Sequence, residues 1–382
     1  MAFLGREREL AQLAEAVRRV AEGRLGRVVL TGPAGIGCSR LLDELSTRVS
    51  SVPGVLACRG RAYEPAQGVP YHPVAEALDE ALAQVPDERL ADLVGNVGHD
   101  LCVLVPSFCP RLDASGIPHQ APSLIAPDQL GRRVLESILG TLRRLAGDGV
   151  LLLMLEDVHF ADPATRGLIE ALDGIGRDLP VCLVISYHPD EVHRRHPMRE
   201  LAEQLVREPD VQRLELAPLG SKVIEQLVAD SLGERPPASV LTAIVEGARG
   251  NPLVALQLAH SVSVLEGVRL SDTFDQLCGA HLEAMGRDAA RVVRIMAIAR
   301  GPLRRSTILS LDAPGGRLTA RAVDEATAAG FVAETGERLV ISHVLCAEAI
   351  EALELTLERQ SIASPPAQKL DVPRPVGDVF CK

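Results

Sequence analysis

Residues 31–40, TGPAGIGCSR, have the glycine spacing of a loop that binds phosphate groups. Gly32 and Gly37 allow the backbone amides to turn inward and to form a nest for anionic oxygens. Ser39 stands where a hydroxyl group can coordinate magnesium, and a strand pattern precedes the loop while a helix pattern follows it. The residues predicted to contact phosphate are Gly32, Pro33, Ala34, Gly35, Ile36, Gly37, Cys38, Ser39 and Arg40.

Position 38 departs from this pattern, because Cys38 stands where such loops carry a lysine. That lysine reaches the outer phosphates and neutralises charge that develops during phosphoryl transfer. Cysteine is too short to do so and carries no positive charge, and each lost hydrogen bond to a charged group costs about 1.5–3 kcal/mol. Arg40 is two residues further on, a rotation of about 200° along a helix, so we expect it to face away from position 38. We expect nucleotide binding to survive and fast hydrolysis to be lost.

The thiol of Cys38 permits a second interpretation. A cysteine at a helix N-terminus can have a lowered pKa and become reactive. One hypothesis is that Cys38 is oxidised only when the loop holds no phosphate. The alternative, an inert replacement of the lysine, is the preferred one.

Two acids follow directly after an apolar run in the segment VLLLMLEDVHFAD. In phosphoryl-transfer sites one acid at such a position holds magnesium, and a second positions the attacking water. We predict Glu156 and Asp157 as catalytic residues on a strand next to the loop, and Ser39, Glu156 and Asp157 as the Mg²⁺ ligands. The sequence does not assign one role to each acid, and both acids could instead end the strand and begin a turn.

These residues must be positioned by alternating strands and helices. Continuous apolar runs are typical of strands that are buried on both faces of a parallel sheet. The alternation predicts an α/β fold, a three-layer α/β/α domain with a parallel sheet, over residues 1–217. Residues 65–125 show no clear pattern. The strand segments are GRVVLT, VLACRGRA, VLLLML, PVCLVISYHPDE and VQRLELAPL.

The remainder of the chain has a different pattern. Residues 218–278 read as helices with no strand between them, and we predict a helical domain. Residues 279–355 combine helices with the segment FVAETGERLVISH, which predicts a hairpin turning at positions 335–336 and hence a winged-helix-like domain. Residues 356–382 contain four prolines and little periodicity, which predicts a disordered tail.

Composition and charge exclude several classes of protein. Of the 382 residues 47% are hydrophobic but only 2% are aromatic, too few for a platform that stacks single-stranded nucleic acid. The net charge of −11 provides no general basic surface for nucleic acid. The sequence has neither an apolar run of about eighteen residues nor a secretion signal, and its eight cysteines are scattered. We expect a cytoplasmic protein with no membrane partner.

The motifs together resemble the nucleotide-binding core of STAND-class ATPases, a branch of the AAA+ superfamily with a P-loop NTPase fold. The likeness is greatest to the large LuxR-type bacterial transcriptional regulators of the maltose-activator kind. It extends over about residues 1–350 and rests on motifs that occur in the family's order. The matching segments are FLGREREL, LTGPAGIGCSRLLDEL, LLLMLEDVHFADPAT, LVISYHPDE and EGARGNPLVALQL.

The resemblance implies further contacts with the nucleotide. His188 stands where the family carries an arginine that senses the terminal phosphate. With an ordinary pKa near 6.5, His188 is expected to be mostly neutral at pH 7, so that two cations are missing around the phosphates. Contacts with the adenine are implied for Leu4, Gly5 and Arg6 and, from the helical domain, for Gly250, Asn251 and Pro252.

The function that the resemblance implies is an ATP/ADP-binding regulatory switch with a degenerate phosphate loop and weak or absent hydrolysis. ADP would hold the domains closed, and ATP would favour an open form that associates with itself or with a homologous regulator. Two alternatives remain, a slow working ATPase and a scaffold that binds no nucleotide and pairs with a homologue. Direct DNA binding through the arginines of residues 287–294 is not expected, because the chain is acidic and no DNA-reading unit is recognisable.

Overall fold

The computed structural model describes residues 3–117, 127–174, 179–233, 235–264, 274–313, 316–335, 338–342, 346–347, 349–351 and 353. Its first part contains a five-stranded sheet in which every neighbouring pair is parallel. The predicted parallel α/β sheet is therefore confirmed. The strands are β1 (Gly26–Thr31), β2 (Val55–Arg61), β3 (Val150–Glu156), β4 (Val181–Tyr187) and β5 (Val211–Glu215).

The strands lie in the order β2-β3-β4-β1-β5. The glycine loop follows β1 and the two acids follow β3, so β4 separates the two strands that carry the predicted site. The expectation that the acids lie on the strand next to the loop is wrong. Crossover helices can connect parallel strands that are not neighbours, and sequence order alone does not fix this choice.

Helices cover both faces of this sheet. Alternate residues of β3 point to opposite faces, as the two-residue period of a strand requires. Leu152 and Met154 pack in one core cluster with α1 and α2, whereas Leu151, Leu153 and Leu155 pack in the other with α3, α7, α8 and α9. The helices are α1 (Glu7–Ala21), α2 (Cys38–Val49), α3 (His72–Ala83), α4 (Leu90–Val94), α5 (Gly98–Leu104), α6 (Cys109–Ala114), α7 (Pro127–Ala146), α8 (Pro163–Gly174) and α9 (Met198–Arg207).

Residues 65–117, which the sequence did not assign, form α3 and three short helices on one face of the sheet. Leu90 of α4, Leu101 of α5 and Leu112 of α6 are fully buried in the same core cluster as α3. Helices of five to seven residues are too short to show a helical period in the sequence. We infer that these short helices form because they pack against α7 and the sheet.

The second half of the described chain is mostly helical. Helices α10–α12 share one hydrophobic cluster, and α13–α16 share another with an antiparallel sheet of order β6-β10-β9. Strands β9 and β10 pair as the hairpin prediction requires, whereas positions 336–337 and the predicted tail at 356–382 lie outside the described residues. The domain boundaries at 217, 278 and 355 stay predictions. The elements are α10 (Ser221–Leu232), α11 (Ala238–Ala248), α12 (Pro252–Val264), α13 (Phe274–Ala284), α14 (Arg287–Ala299), β6 (Leu303–Arg304), α15 (Arg305–Ser310), β7 (Asp312–Ala313), β8 (Gly316–Arg317), α16 (Ala320–Ala328), β9 (Val332–Thr335) and β10 (Arg338–Ile341).

Ion pairs connect this second half to the sheet domain. Arg300 follows α14 with a positive φ of 45° and donates to Glu64 at 2.6 Å and to Glu351 at 2.6 Å. Arg338 of β10 lies 3.5 Å from Glu76 of α3. The last part of the described chain therefore lies against the carboxyl end of β2 and against α3.

The close approach of β2 and α3 provides a test of the fold. A β-carbon built on Gly60 would lie 1.6 Å from the carbonyl oxygen of Pro73, a backbone atom that cannot rotate away. We expect Gly60→Ala to lower the free energy of unfolding by about 3 kcal/mol, measured by urea denaturation. Gly167→Ala is the matched control in α8, where nothing lies within 4 Å, and it should raise stability by up to about 1 kcal/mol. Equal stabilities of the two variants would contradict this packing.

Candidate functional site

The glycine loop bends the chain sharply between β1 and α2. Gly35 has a φ of +79° and Gly37 a φ of +103°, which are left-handed conformations that other residues adopt at a cost. Ile36 between them is buried and anchors the loop in the core beside β1. The first amides of α2 have no partner within the helix, and this end of the helix favours anions.

Asn251 holds the loop from the side of the helical segment. Its side-chain Nδ2 donates to the carbonyl oxygen of Ala34 at 2.9 Å. Its Oδ1 accepts from the amide of Leu253 at 3.0 Å and so caps the start of α12. Asn251 therefore contacts the loop backbone in this structure, whereas its neighbour Pro252 lines the adjoining cleft.

Arg6 holds the loop from the N-terminal side. The guanidinium group is buried, and its NH2 nitrogen donates to the carbonyl oxygens of Ala217 at 2.5 Å and Ile36 at 3.5 Å. Gly5 has a positive φ of 72° and packs closely against Val223 of α10. The segment before α1 thus connects the loop to the residues that follow β5.

A cleft with a volume of about 280 Å³ lies in front of the loop. One end is polar and is formed by residues 35–40 together with Arg61 and His188. The other end is apolar and is lined by Leu4, Leu219, Val223, Leu227, Leu253 and Leu256. Clefts of this kind suit a ligand with a flat apolar part and an anionic part.

The predicted residues divide into two groups around this cleft. Ten of them line it, whereas the others do not. Of the second group, Gly32 and Ala34 accept hydrogen bonds through their carbonyl oxygens, and Asp157 lines an adjoining pocket with Arg61 and His188. The lining residues are Leu4, Arg6, Gly35, Ile36, Gly37, Cys38, Ser39, Arg40, His188 and Pro252, and the others are Gly5, Gly32, Pro33, Ala34, Gly250, Asn251, Glu156 and Asp157.

The first acid contacts the loop serine directly. The hydroxyl group of Ser39 donates to Oε2 of Glu156 at 2.5 Å, and the Glu156 side chain is completely buried. The other oxygen of Glu156 accepts from Nε of Arg59, which also pairs with Asp43 of α2. Two residues that are far apart in the chain are thus brought together, as the sequence predicts.

The second acid lies between two basic side chains. Asp157 has a left-handed backbone conformation with a φ of 52°. Its Oδ2 accepts a hydrogen bond from Nε of Arg61 at 2.7 Å, and its Oδ1 lies 3.3 Å from Nε2 of His188. Burial alone would raise the pKa of Asp157. The charge of Arg61 and the hydrogen bond from His188 outweigh burial and hold the pKa of Asp157 well below its usual range.

His188 uses both ring nitrogens. Nδ1 lies 2.9 Å from the carbonyl oxygen of Gly32, which accepts only from a protonated nitrogen, and Nε2 faces the carboxylate of Asp157. Burial opposes the charge of the imidazole, but these two acceptors raise the pKa of His188 above its ordinary value. This direction favours the protonated form more than the sequence predicts, because the partners that stabilise its charge are distant in sequence.

Cys38 is buried at the start of α2. Burial, and after it the charge of Asp157, raise the pKa of the thiol to about 12. The reactive-thiol hypothesis is therefore wrong, since desolvation outweighs the helix N-terminus. Arg40, on the other side of α2, lies at the rim of the cleft, where it stacks 5.8 Å from the ring centroid of Phe3 and pairs with Glu44 at 3.4 Å.

Arg59 and Arg61 were not predicted as site residues from the sequence. They lie two residues apart on β2 and so point to the same side of the sheet. In the parallel register Arg61 is opposite Glu156 of β3. The available signal was the pair of arginines in VLACRGRA at the end of a strand, but its meaning depends on β2 and β3 being neighbours.

The predicted magnesium donors already have protein partners. Ser39 and Arg59 occupy the two oxygens of Glu156, and Arg61 and His188 face those of Asp157. Over the described ranges, no group of three His, Cys, Asp or Glu side chains is arranged to hold a metal ion. The donor set therefore does not fit a directly coordinated ion unless these pairs open.

Among the described residues, no helix is both long enough and apolar enough to cross a membrane.

A glycine loop after β1 and acids after β3, on a parallel sheet with β4 between, define a P-loop ATPase type of domain. The family model of the AAA ATPase domain matches residues 2–185. Over 196 residues the chain is 26% identical to an uncharacterized protein of Rhizobium meliloti (strain 1021), covering 49% of this chain and 18% of that protein.

Solved structures are similar in fold. A signal transduction ATPase with numerous domains (STAND) protein with a tetratricopeptide repeat sensor, from Pyrococcus horikoshii, aligns with a TM-score of 0.51 and 14% identity over 94% of this chain and 45% of that one. The Orc1 protein of Aeropyrum pernix in complex with DNA aligns with a TM-score of 0.44 and 18% identity over 94% and 95% of the two chains. This chain spans less than half the length of the Rhizobium and Pyrococcus horikoshii proteins.

The raised pKa of Cys38 predicts slow alkylation of this thiol. With the pKa moved from 9.0 to about 12, the thiolate fraction at pH 8 falls by roughly a thousandfold relative to a free thiol. We expect iodoacetamide at pH 8 to leave Cys38 unmodified in the folded protein and to modify it in the urea-unfolded chain. Peptide mass spectrometry measures both rates. Rapid modification in the folded state would contradict the buried position of the thiol.

Proposed function

We propose that this protein is an adenine-nucleotide-binding regulatory switch built on a STAND-type ATPase core. One observation carries the proposal: a single cleft is bounded by three parts of the chain. The loop residues 35–40 form one wall, Val223 and Leu227 of α10 with Leu253 and Leu256 of α12 form the second, and Ser342, after β10, closes the third. A ligand in this cleft would contact all three parts at once.

Such a ligand would stabilise the closed arrangement. A molecule that binds the closed form and not the open form shifts the equilibrium toward closure by mass action. The ion pair of Arg300 with Glu64 belongs to the same closed arrangement. We propose that ADP favours this form and that ATP favours an open form that associates with itself or with a homologous regulator.

The proposed switch binds nucleotide better than it hydrolyses it. Cys38 contributes no positive charge from the loop, and a cation at that position acts on the charge that develops in the transition state. Arg61 lines the polar end of the cleft and supplies positive charge for binding, and the imidazole of His188 lines the same end. Glu156 and Asp157 remain the proposed catalytic acids, and their pairing with basic side chains is consistent with slow turnover.

The order of the sequence motifs supports a finer proposal. We propose that the chain is the ATPase core of a LuxR-type transcriptional regulator that acts in the cytoplasm. The AAA ATPase match over residues 2–185 and the STAND-like fold support the ATPase core of this proposal. The regulatory role in transcription rests on the resemblance of the five sequence segments.

Nucleotide titration tests the proposed function. We expect calorimetry to detect ADP and ATP binding to the full chain and a phosphate-release assay to detect almost no turnover. Gly35→Val is the control, because a β-carbon there would lie 2.9 Å from Oδ1 of Asn251 on a backbone with positive φ, and it should abolish binding. Circular dichroism verifies that this variant is folded. Turnover at about 1 s⁻¹ or faster would indicate a working ATPase, and no binding of either nucleotide would indicate a scaffold.

The missing lysine generates a further prediction. Cys38→Lys places a cation beside Asp157 and the outer phosphates, and we expect ATP turnover to rise by at least about tenfold. Cys38→Met is the matched control, since methionine has a similar length and no charge. If the two variants hydrolyse ATP at the same rate, position 38 does not limit turnover.

A further inference from the structure

Both acids of the site are neutralised by arginines of one neighbouring strand. Arg59 pairs with Glu156, and Arg61 pairs with Asp157, through the Nε nitrogen in each case. Glu156 is also inaccessible to solvent, so that an ion could not reach it without displacing its partners. A divalent cation would therefore meet carboxylates whose charge is already balanced, in contrast to the open oxygen ligands that Mg²⁺ prefers.

Arg61 has hydrogen-bonding capacity that the protein does not use. Its Nε donates to Asp157, and its guanidinium carbon lies 5.9 Å from the ring centroid of Tyr63. Within the described part of the chain, its two terminal nitrogens make no hydrogen bond. The exposed fraction of the Arg61 side chain is 26%. The side chain lines the polar end of the cleft together with residues 35–39.

An arginine anchored in this way is well suited to a phosphate group. The guanidinium group presents planar donors that match phosphate oxygens, and Asp157 fixes its orientation before a ligand arrives. The first amides of α2, which have no partner within the helix, lie at the same end of the cleft. A diphosphate placed there would meet a cation from β2 in place of the missing lysine of α2.

We propose that this site binds its nucleoside diphosphate without a divalent metal and that Arg61 is the cation that holds the phosphates. The inference rests on the proposed nucleotide binding and specifies how it occurs. Arg59 acts indirectly, because it neutralises Glu156 and keeps it hydrogen-bonded to Ser39. The oxygen atoms of Glu156 and Ser39 are then not available as ligands for a magnesium ion.

Equilibrium dialysis of ADP against the full-length protein tests the metal requirement. We expect the dissociation constant in excess EDTA to agree with that in excess Mg²⁺ within about twofold. Binding that occurs only with Mg²⁺ would overturn this inference and leave the proposed nucleotide switch intact. The absence of ADP binding in both buffers would overturn both.

Substitution of Arg61 tests the proposed phosphate contact. Arg61→Gln should weaken ADP binding in EDTA by at least about tenfold, as expected for the loss of a charge-assisted hydrogen bond, while Arg61→Lys should recover part of the loss. Arg48→Gln is the matched control, because Arg48 is an exposed arginine near the far end of α2 and should leave binding unchanged. Equal affinities of Arg61→Gln and the wild type would overturn the assignment of Arg61.

Substitution of Arg59 provides an independent readout. Arg59→Gln removes the positive partner of Glu156 and leaves a buried acid next to Ser39. We expect Mg²⁺ to tighten ADP binding to this variant by at least about tenfold relative to EDTA, although it has no such effect on the wild type. Thermal denaturation verifies the fold of the variant. A folded variant that shows no magnesium effect would overturn the role of Arg59.

Discussion

The site depends on the carboxylate of Asp157 at the end of β3. It binds Arg61 from β2 and His188 from the end of β4, and His188 in turn donates to the carbonyl oxygen of Gly32 after β1. Four strand ends are thereby joined by one chain of charged hydrogen bonds. Without the acid, Arg61 and the buried His188 would both lose a partner, and removing one member of a largely buried pair is costly because it leaves an uncompensated charge.

The basic side chains at the polar end of the cleft come from β2 and from the end of β4, not from the loop. The loop carries a neutral, buried Cys38, whereas Arg61 and His188 are held beside Asp157 at the same end of the cleft. Both basic side chains are held in place by the sheet. Under the proposed function, this arrangement favours binding of an anion but places no mobile cation on the terminal phosphate, which would separate nucleotide recognition from hydrolysis.

The loop is held in position by distant parts of the chain. Arg6 and Asn251 donate to its backbone carbonyl oxygens from segments before α1 and before α12. The apolar end of the cleft is formed by α10 and α12, and its rim by Ser342. The shape of the site is thus coupled to the packing of the helices, as the proposed switch requires.

Local patterns were sufficient for the loop at residues 32–39, the acids Glu156 and Asp157 and the strands of the sheet, because apolar runs and glycine spacing are properties of contiguous residues. The sequence alone therefore determined the fold class, whereas the Mg²⁺-ligand roles of Ser39 and Glu156 stay predictions. Tertiary structure decided that β4 lies between β1 and β3, that burial raises the pKa of Cys38, and that Arg59 and Arg61 face the acids. These outcomes depend on which distant groups become neighbours, and solvation and charge pairing act through space.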